Sequence, residues 1–438
     1  MDRDKNVCTI GLGYVGLTLA LTLADSGFCV TGVDKNPSLL KKIKRGISPF
    51  YEKGLETLLK KYLGENFKVS DHIPDDDFGV FIISVGTPVN RFKKPVLKEV
   101  LESSREVSKH IKKGDLLIGR STVPVGTTRG VVGKIVKEVG RLKMGEDYHL
   151  VYAPERTIEG RALKELRELP QIVGGINEES VERASIFFRR ITQTIVNVSS
   201  LEAAEMIKIM DNTYRDLNFA ISNELTLICD KIHIDAVEII KAANMGYNRN
   251  NIPLPSPGVG GICLSKDPYI LIDVARKAGY ETKLIRQGRL INESMPKHMA
   301  KKLERFVKRN KLSSHKLKVF VMGFAFKGRP LTSDMRNSPT IDLVEKMRRL
   351  TGNICGYDPA VPKREIEQLG VKSVSMEEGF DNADCVVIML NHEMYEDLNI
   401  FSLIERTKKP LLFLDGWQIY NPREIRAIPN VYYEGVGF

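Results

Sequence analysis

The sequence predicts an α/β fold in which two doubly wound Rossmann-like domains are joined by a central helical domain. Short apolar runs alternate with helix-like stretches in the first and last parts of the chain, a pattern typical of mostly parallel sheets covered by helices. Between these parts, helical periodicity dominates from residue 201 to about residue 307. The length of 438 residues also fits two or three domains, at roughly 150 residues each.

The first domain is predicted over residues 1–200 and opens with a buried strand at residues 7–10. A glycine turn, an apolar helix through Leu23 and a second strand at residues 29–33 follow, and together they form a βαβ unit. Further apolar runs, each before a turn or loop, lie at residues 80–85, 116–118 and 149–152. We expect these runs to be strands of one mostly parallel sheet.

Helices dominate the second predicted domain, residues 201–310. It has one break at residues 248–261, a segment rich in Asn, Pro and Gly that is predicted to be a loop. The third predicted domain, residues 311–438, opens with a strand-like run at residues 318–324. Later strand-like runs, separated by helical stretches, lie at residues 353–357, 385–390 and 411–414. The same alternation therefore predicts a second α/β domain in the last third of the chain.

Charge and composition restrict the partners. The chain has 66 Lys and Arg against 55 Asp and Glu, a net charge of +11 that favours anionic partners such as phosphate-bearing metabolites. The basic residues are dispersed and form no module with aromatic residues, so we expect no nucleic-acid partner. Neither a membrane span nor a signal peptide is expected, because apolar runs of sufficient length are absent. Six cysteines without paired spacing predict no metal site or disulfide framework, and fit a reduced, cytoplasmic setting.

A glycine-rich turn after the first strand indicates a dinucleotide cofactor. Gly11 allows a tight turn, Gly13 lets the backbone approach a pyrophosphate, and Gly16 lets the next helix pack against the strand. Asp34 ends the second strand, where a carboxylate accepts hydrogen bonds from ribose hydroxyls and repels a 2′-phosphate. NAD is therefore favoured over NADP, although the neighbouring Lys35 opposes this preference. The alternative is an ordinary tight turn in an α/β domain.

A second glycine-rich segment, residues 257–261, precedes Cys263 and indicates a nucleophile. Glycines permit the close approach of a ligand to the backbone. Lys266 stands three residues beyond the cysteine, and a nearby cation lowers the pKa of a thiol and favours the thiolate. Asp267 is suited to handle protons or to orient a water molecule. The alternative is a small, buried structural cysteine beside a turn.

A third segment, residues 205–215, is predicted to be helical. Lys208 and Asn212 are four residues apart and therefore share a face, with Arg215 near the same stripe. A cation and an amide side by side are suited to binding an oxyanion. The alternative is a solvated pair on a helix surface.

Together, these segments resemble the UDP-glucose/GDP-mannose dehydrogenase family, in the family's order and over nearly the whole chain. The family's nucleophile signature is a double glycine, one residue, a cysteine, two residues and Lys-Asp, which stands here as Gly260-Gly261-Ile262-Cys263-Leu264-Ser265-Lys266-Asp267. Further matches are Val85-Gly86-Thr87-Pro88, Arg120-Ser121-Thr122-Val123-Pro124, Ala153-Pro154-Glu155-Arg156 with Glu159, Gly323-Phe324-Ala325-Phe326-Lys327, and Asp334-Met335-Arg336-Asn337-Ser338.

The resemblance implies an NAD-dependent, four-electron oxidation of a nucleotide sugar at C6 through a thioester on Cys263. It implies catalytic roles for Cys263, Lys208, Asn212, Asp267, Thr122, Glu155 and Glu159. It implies cofactor contacts from Gly11, Gly13, Tyr14, Val15, Gly16, Asp34, Gly86, Thr87, Pro88, Thr122, Lys266 and Arg336. It implies substrate contacts from Arg156, Lys208, Asn212, Arg215, Arg249, Gly260 and Lys327. No metal is implied.

Two subgroups of the family compete: enzymes for UDP-glucose and enzymes for UDP-N-acetylhexosamines. Arg156, the run of residues 212–218 and Val259 are similar to the second subgroup. UDP-N-acetyl-D-mannosamine is therefore the expected substrate, and surface polysaccharide or glycan synthesis the expected use of the product. Residues 158–160 and 264–266 are closer to the glucose subgroup, which stays open as the alternative.

Two other classes of function share parts of this pattern. A nucleotide-sugar-binding protein without turnover would have the same fold, but the nucleophile Cys263 is present in its motif. A two-electron hydroxyacid dehydrogenase would share the first domain but does not need a cysteine in a glycine loop. The resemblance also implies a homodimer or higher homo-oligomer built on the central helices, with Arg249 reaching the substrate of the partner subunit.

Overall fold

The chain divides into two compact units in the computed structural model, which describes residues 3–438. The first unit contains the residues up to Asn212 together with residues 266–282, and the second contains residues 213–265 and 283–438. Each unit is built on one largely parallel sheet, and a long helical region lies between the two sheets in the sequence. The predicted fold class is therefore confirmed, while the division into three functional domains stays a prediction.

Within the described residues, eight strands form the sheet of the first unit. They are β1 (Asn6–Ile10), β2 (Cys29–Val33), β3 (Phe67–Ser70), β4 (Val80–Ile83), β5 (Leu116–Gly119), β6 (His149–Tyr152), β7 (Gln171–Gly175) and β8 (Ile195–Val198). Their order is β3-β2-β1-β4-β5-β6-β7-β8, and each neighbouring pair is parallel except β6 and β7. The sequence pattern does not predict β3, β7 or β8, because these strands are partly polar or rich in glycine.

Helices cover both faces of this sheet. They are α1 (Tyr14–Asp25), α2 (Pro37–Lys44), α3 (Leu55–Tyr62), α4 (Lys98–His110), α5 (Ala162–Glu168) and α6 (Glu178–Phe188). Shorter helical turns lie at Arg3–Lys5, Thr128–Gly133 and Val136–Gly140. In β4, Val80 and Ile82 belong to one hydrophobic cluster while Phe81 and Ile83 belong to another, so the strand is apolar throughout because both of its faces are covered.

The central part of the chain is helical. Its helices are α7 (Leu201–Ile232), α8 (Ala236–Asn244), α9 (Asp267–Lys277) and α10 (Leu284–Arg309). The first turns of α7 and the whole of α9 belong to the first unit, and the rest belongs to the second. Neither a helix nor a strand occurs in the described segment 245–266, which confirms the predicted break. Across residues 3–438, no helix combines the length and apolar character needed to cross a membrane.

Six strands form the sheet of the second unit. They are β9 (Val319–Met322), β10 (Ile354–Tyr357), β11 (Lys372–Ser373), β12 (Cys385–Ile388), β13 (Leu411–Asp415) and β14 (Val431–Gly435). Their order is β11-β10-β9-β12-β13-β14, and all pairs are parallel. A 3₁₀ turn at Ser314–Lys316 precedes them, and the helices are α11 (Pro339–Met347), α12 (Lys363–Gln368), α13 (Met376–Phe380), α14 (Glu393–Glu396), α15 (Ile400–Glu405) and α16 (Pro422–Arg426).

Candidate active site

The glycine turn between β1 and α1 has the shape of a phosphate cradle. Gly11 has a φ of +91°, and a Cβ at Gly16 would lie 1.8 Å from the carbonyl oxygen of Gly11, so neither position accepts a side chain. A Cβ at Gly13 would meet no atom within 4 Å, which leaves open space beside the backbone. No side chain caps the N-terminus of α1, so its first N–H groups can bind a phosphate. The turn therefore fits a dinucleotide pyrophosphate.

Asp34 is fixed beside this turn at the end of β2. Its Oδ2 accepts a hydrogen bond from the amide of Leu12, and its Oδ1 accepts one from the amide of Asn36, both at 2.8 Å. The neighbouring Lys35 points its Nζ at Glu102 Oε2, 2.7 Å away, and this hydrogen bond raises the pKa of Lys35. The cation that opposes an NAD preference is thus already paired with Glu102, whereas Asp34 is held in place by the backbone.

The two other predicted cofactor loops of the first unit lie against each other. The hydroxyl of Thr87 donates a hydrogen bond to the carbonyl oxygen of Thr122. In the second loop, the carbonyl oxygen of Ser121 accepts a hydrogen bond from the hydroxyl of Tyr152, at 3.0 Å. In the first of these loops, which contains Thr87 and continues to Pro88, a Cβ at Gly86 would meet no atom within 4 Å. That loop therefore also leaves space for a ligand.

Glu155 is buried and forms an ion pair with a buried arginine. Its Oε2 lies 2.5 Å from Arg120 Nη2, and its Oε1 accepts a hydrogen bond from the amide of Thr157 at 2.7 Å. Burial alone would raise the pKa of Glu155, but the charge and hydrogen bond of Arg120, the amide of Thr157 and the charge of Lys208 together hold the pKa below its usual range. Such a carboxylate stays ionised and orients its loop. Arg120 lies in a segment that the sequence singled out, yet its role depends on a contact that local spacing does not reveal.

The end of the same loop is tied to the start of α1. The amide of Gly160, next to Glu159, donates to the hydroxyl of Tyr14 at 2.9 Å and to Glu52 Oε2 at 2.8 Å. The hydroxyl of Tyr14 also donates to Glu52, and both burial and this bond raise the pKa of Tyr14. The structure thus connects Glu159 to the cofactor turn through Glu52, a buried residue that the sequence did not single out.

Lys208, Asn212 and Asp267 are buried in the first unit. The amide group of Asn212 donates to Asp267 Oδ2 at 2.6 Å, and Lys266 Nζ lies 2.5 Å from Asp267 Oδ1. Lys208 is one turn before Asn212 on α7, and its charge helps to lower the pKa of Glu155. The structure therefore brings together the predicted oxyanion pair, the predicted proton-handling carboxylate and Lys266.

Arg156 lies beside the first turns of α7. Its Nη2 donates to the carbonyl oxygen of Pro170 at 2.7 Å, and its Nη1 is 3.8 Å from Asp211 Oδ2. Asp211 is adjacent to Asn212 in the sequence. The predicted sugar-contacting arginine is therefore in the same unit as Lys208 and Asn212.

Cys263 lies in a tight loop of the second unit. A Cβ at Gly260 would lie 2.5 Å from the carbonyl oxygen of Asn337, and a Cβ at Gly261 would lie 2.7 Å from the ring of Phe326. Gly261 also has a φ of +85°, so glycine is required there on two grounds. These glycines let the loop pack directly against the segment 326–337, and Cys263 itself is half-buried.

The remaining predicted residues of the second unit are more accessible. Lys327 is half-buried and directly follows the ring that packs on the cysteine loop. Arg336 is exposed, and its Nη2 lies 2.6 Å from Asp334 Oδ2. Arg215 and Arg249 are exposed, so both guanidinium groups can meet an anionic ligand.

Glu205 is a further buried carboxylate that sequence reasoning missed. It accepts hydrogen bonds from the amides of Gly126, at 2.5 Å, and Thr128, at 2.7 Å. Burial raises the pKa of Glu205 to about 7. This residue holds the loop that follows Thr122. No group of three or more His, Cys, Asp or Glu side chains within residues 3–438 is arranged to hold a metal ion.

Comparison with known proteins decides the family. Domain models of the UDP-glucose/GDP-mannose dehydrogenase family match at residues 5–192 (NAD binding domain), 202–294 (central domain) and 320–422 (UDP binding domain). The chain belongs to this family. It is an NAD-dependent nucleotide-sugar dehydrogenase, so the predicted family, enzyme class and cofactor are confirmed.

Three relatives illustrate the similarity. UDP-N-acetyl-D-mannosamine dehydrogenase of Methanococcus vannielii is 34% identical over 93% of this chain and 91% of its own. The solved structure of UDP-D-ManNAc dehydrogenase from Pyrococcus horikoshii has a TM-score of 0.89 and 32% identity, covering 99% of both chains. NDP-N-acetyl-D-galactosaminuronic acid dehydrogenase of Ralstonia nicotianae is 30% identical over 93% of this enzyme and 95% of its own length.

Proposed function

We propose that this enzyme oxidises the C6 alcohol of UDP-N-acetyl-D-mannosamine to a carboxylate, through a thioester on Cys263, for the synthesis of surface polysaccharide or glycan. One observation carries this proposal. Gly260 and Gly261 pack so closely that no side chain fits, and they present a half-buried cysteine just before Lys266 and Asp267 in the chain. A loop with this shape and order suits a nucleophile rather than a small core residue.

The proposed reaction removes four electrons from the sugar. Bound NAD accepts one hydride from C6 in each of two oxidations. In the first, C6 loses a hydride and its hydroxyl loses a proton, which leaves an aldehyde. The Cys263 thiolate then adds to the aldehyde carbon, and loss of a second hydride from C6 gives a thioester. Water attacks the thioester, the C–S bond breaks, and the carboxylate and the thiol are released.

The buried polar residues of the first unit suit the charge changes in this reaction. We assign Lys208 and Asn212 to the oxyanion that develops on the C6 oxygen, because a cation and a rigidly held amide stabilise such a charge. Asp267 holds Asn212 by a hydrogen bond of 2.6 Å and, with Thr122, is assigned to orienting water and relaying protons. Glu155 is assigned to orienting its loop, because Arg120 keeps it ionised.

The remaining residues are assigned to ligands mainly by charge, since both the cofactor and the UDP-sugar carry phosphates. Arg336 and Lys266 are assigned to the cofactor. Arg156, Arg215, Arg249, Gly260 and Lys327 are assigned to the UDP-sugar, whose diphosphate is the anion that guanidinium and ammonium groups bind.

The N-acetylhexosamine is supported by Arg156 and by the names of the similar dehydrogenases from Methanococcus and Pyrococcus. The Ralstonia relative supports another N-acetyl sugar, and the sequence of residues 158–160 and 264–266 supports UDP-glucose as the second candidate. A panel of the UDP derivatives of N-acetylmannosamine, N-acetylglucosamine, N-acetylgalactosamine and glucose, assayed with NAD, separates these substrates.

For UDP-N-acetyl-D-mannosamine we expect a kcat/KM at least about tenfold above the others, equal to about 1.4 kcal/mol in the transition state. The product mass should correspond to the uronic acid. A higher kcat/KM with UDP-glucose would contradict the proposed sugar. Binding of the sugars without NADH formation would instead indicate a nucleotide-sugar-binding protein.

We also propose that the enzyme forms a homodimer through α7. In the second unit, this helix carries exposed apolar side chains with spacings of three, four and seven residues, which places them on one face. They are Tyr214, Ile221, Leu225, Ile228 and Ile232, with exposed fractions of 65%, 49%, 41%, 52% and 57%. A contiguous apolar stripe of this kind is typical of a helix that packs against a second copy. Light scattering should give twice the chain mass or a multiple of it, and a fully active monomer would contradict the proposal.

A further inference from the structure

Arg289 is the largest fully buried side chain in the described part of the chain, with an exposed fraction of 1%. It projects from α10 and uses its guanidinium group in three directions. Nη1 donates to Asp216 Oδ1 at 2.5 Å and to the carbonyl oxygen of Leu264 at 3.1 Å, and Nη2 donates to the carbonyl oxygen of Val259 at 3.0 Å. Burying a guanidinium is unfavourable unless such partners are present. The position of these partners therefore indicates what the arginine does.

The two carbonyl oxygens bracket the nucleophile loop. Val259 precedes the double glycine, and Leu264 directly follows Cys263. By holding both, Arg289 ties the two ends of the segment 259–264 to one rigid planar group. A lysine would place a single ammonium at one point and cannot span two carbonyl groups in this way.

Arg289 is itself fixed by a buried polar network. Asn292, one turn further along α10, donates to the carbonyl oxygen of Asp216 at 2.8 Å and to its Oδ1 at 2.9 Å. Asn223 donates to Asn292 at 2.9 Å, and its own Oδ1 accepts from the amide of Ser256 at 2.9 Å. The network thus holds the start of the same loop as well as its end.

The helices that carry this network approach closely at a glycine. A Cβ at Gly288 would lie 2.5 Å from Leu217 Cδ2 and 3.2 Å from the Cβ of Ala220, so the missing side chain lets α10 pack closely on α7. Gly288 directly precedes Arg289, and Leu217 directly follows Asp216. The close approach therefore occurs where the ion pair between the two helices forms.

We propose that Arg289 is a positioning residue that holds Cys263 in the alignment needed to capture the aldehyde before it leaves. This inference rests on the proposed role of Cys263 as the nucleophile. A loop that contains Gly260 and Gly261 has little stiffness of its own, and misplacement of a reacting atom by about 1 Å lowers rates by about 100-fold. The first oxidation does not use the thiol, so Arg289 affects the capture step and the second oxidation selectively.

The test is Arg289→Lys, which keeps a cation next to Asp216 but removes the bridge between the carbonyl groups. With UDP-N-acetyl-D-mannosamine and NAD, we expect acid formation to fall by about 100-fold while KM for NAD stays unchanged. The ratio of NADH formed to sugar consumed should fall from two towards one, and hydroxylamine should trap free aldehyde. Arg286→Lys is the matched control, because Arg286 lies one turn earlier on α10 and is exposed; it should leave rate and ratio unchanged.

A second variant protects the test against misfolding. Arg289→Met with Asp216→Asn removes both buried charges and keeps an acceptor for Asn292, a type of replacement that proteins often tolerate. It should also release aldehyde. A ratio of two at normal speed in a folded variant would overturn the proposal, and so would an equal slowing of both oxidations. Cys263→Ser in the same assay separates the thioester proposal from the positioning proposal. If Cys263→Ser keeps full turnover, the thioester proposal fails. If Cys263→Ser loses acid formation while Arg289→Lys keeps it, only the positioning role of Arg289 fails.

Discussion

The two sheets of this enzyme have the same core strand order but serve different ligands. The first six strands of the first sheet, β3-β2-β1-β4-β5-β6, correspond in order to β11-β10-β9-β12-β13-β14 of the second. The strand that comes first in the sequence of each sheet, β1 or β9, is followed by a glycine in the left-handed region. These glycines are Gly11, with a φ of +91°, and Gly323, with a φ of +94°. The next strand in the sequence of each sheet is followed by an aspartate: Asp34 follows β2, and Asp358 follows β10. The scaffold alone therefore does not determine which ligand binds.

The two turns differ in the residues that come after each glycine. In the first sheet, Gly13 leaves open space and α1 begins at the next residue, so its N-terminus faces the turn. In the second sheet, Ala325 takes the corresponding place, and the next helix, α11, begins at Pro339 with its N-terminus capped by the side chain of Ser338. The second turn therefore lies against a helix N-terminus that a side chain already caps, whereas the N-terminus of α1 has no side-chain cap and can bind a pyrophosphate. This agrees with the match of the two regions to NAD binding and UDP binding domain models.

The two aspartates show the same divergence. Asp34 is partly exposed and accepts two backbone hydrogen bonds. Asp358 is buried and accepts four, from the amides of residues 324, 325, 360 and 361. His392 Nε2 lies 3.6 Å from its Oδ2. The carboxylate of Asp34 is thus still accessible to a ligand, whereas that of Asp358 is saturated by the protein.

The sharpest test of this comparison exchanges the residues at the two turns. Gly13→Ala should raise KM for NAD by about 100-fold, about 2.8 kcal/mol of binding free energy, because its methyl group occupies the space of the pyrophosphate. The protein itself should fold normally, since the added Cβ meets no atom within 4 Å. The matched variant Ala325→Gly should leave KM for NAD unchanged. Similar KM values for NAD in Gly13→Ala and Ala325→Gly would contradict the proposed difference between the two turns.

A smaller effect is expected at Asp34. Asp34→Ala removes the charge that repels a 2′-phosphate, so the preference for NAD over NADP should narrow by about tenfold, or about 1.4 kcal/mol. Steady-state kinetics with both cofactors measures this ratio. Equal use of NAD and NADP by the unmodified enzyme would contradict the role of Asp34.

No effect on the cofactor is expected at Asp358, where the change should appear in stability. Burial alone would raise the pKa of Asp358, but the nearby imidazole of His392 and the hydrogen bonds from the backbone amides of residues 324 and 325 hold the pKa below its usual range. A lowered pKa means that the carboxylate stabilises the fold above the ordinary aspartate pKa, and that this stabilisation is lost as pH falls through the lowered value.

Asp358→Asn should therefore lower the free energy of unfolding at pH 7 by roughly 2 kcal/mol, a typical value for lost hydrogen bonds to a charged group. Denaturant unfolding at pH 7 and at progressively lower pH measures the effect, and the difference from the unmodified enzyme should shrink towards acid pH. A difference that stays constant with pH would exclude a contribution from the ionised carboxylate.

The sequence predicts those parts of the site that depend on short spacings. Gly11, Gly13, Gly16 and Asp34 form one local unit, and its strand, turn and helix are visible as an apolar pattern. The structure confirms these elements. Short strands with polar or glycine residues, such as Gln171–Gly175, escape prediction because pairing with neighbours compensates for weak local preference.

The residues that hold the site loops in place, Glu52 and Arg289, are not predicted from the sequence for a different reason. Glu52 meets Gly160 across 108 positions of sequence, and Arg289 meets Val259 across 30. Their roles arise from hydrogen bonds between distant segments, which leave no local periodicity. A buried arginine in an amphipathic helix such as α10 has no signal of its own until the fold places a carboxylate and two carbonyl groups around it.

The central claim, that Cys263 forms a covalent thioester, is tested most directly by Cys263→Ser. The rate of full oxidation should be measured in folded protein with UDP-N-acetyl-D-mannosamine and NAD, together with the intact mass of the enzyme. Serine keeps the size of the side chain but has a much higher pKa and forms an ester with a poorer leaving group. We expect acid formation to fall by orders of magnitude, with a slowly hydrolysed ester detectable by mass. A near-normal rate of acid formation in the folded variant would contradict the thioester mechanism.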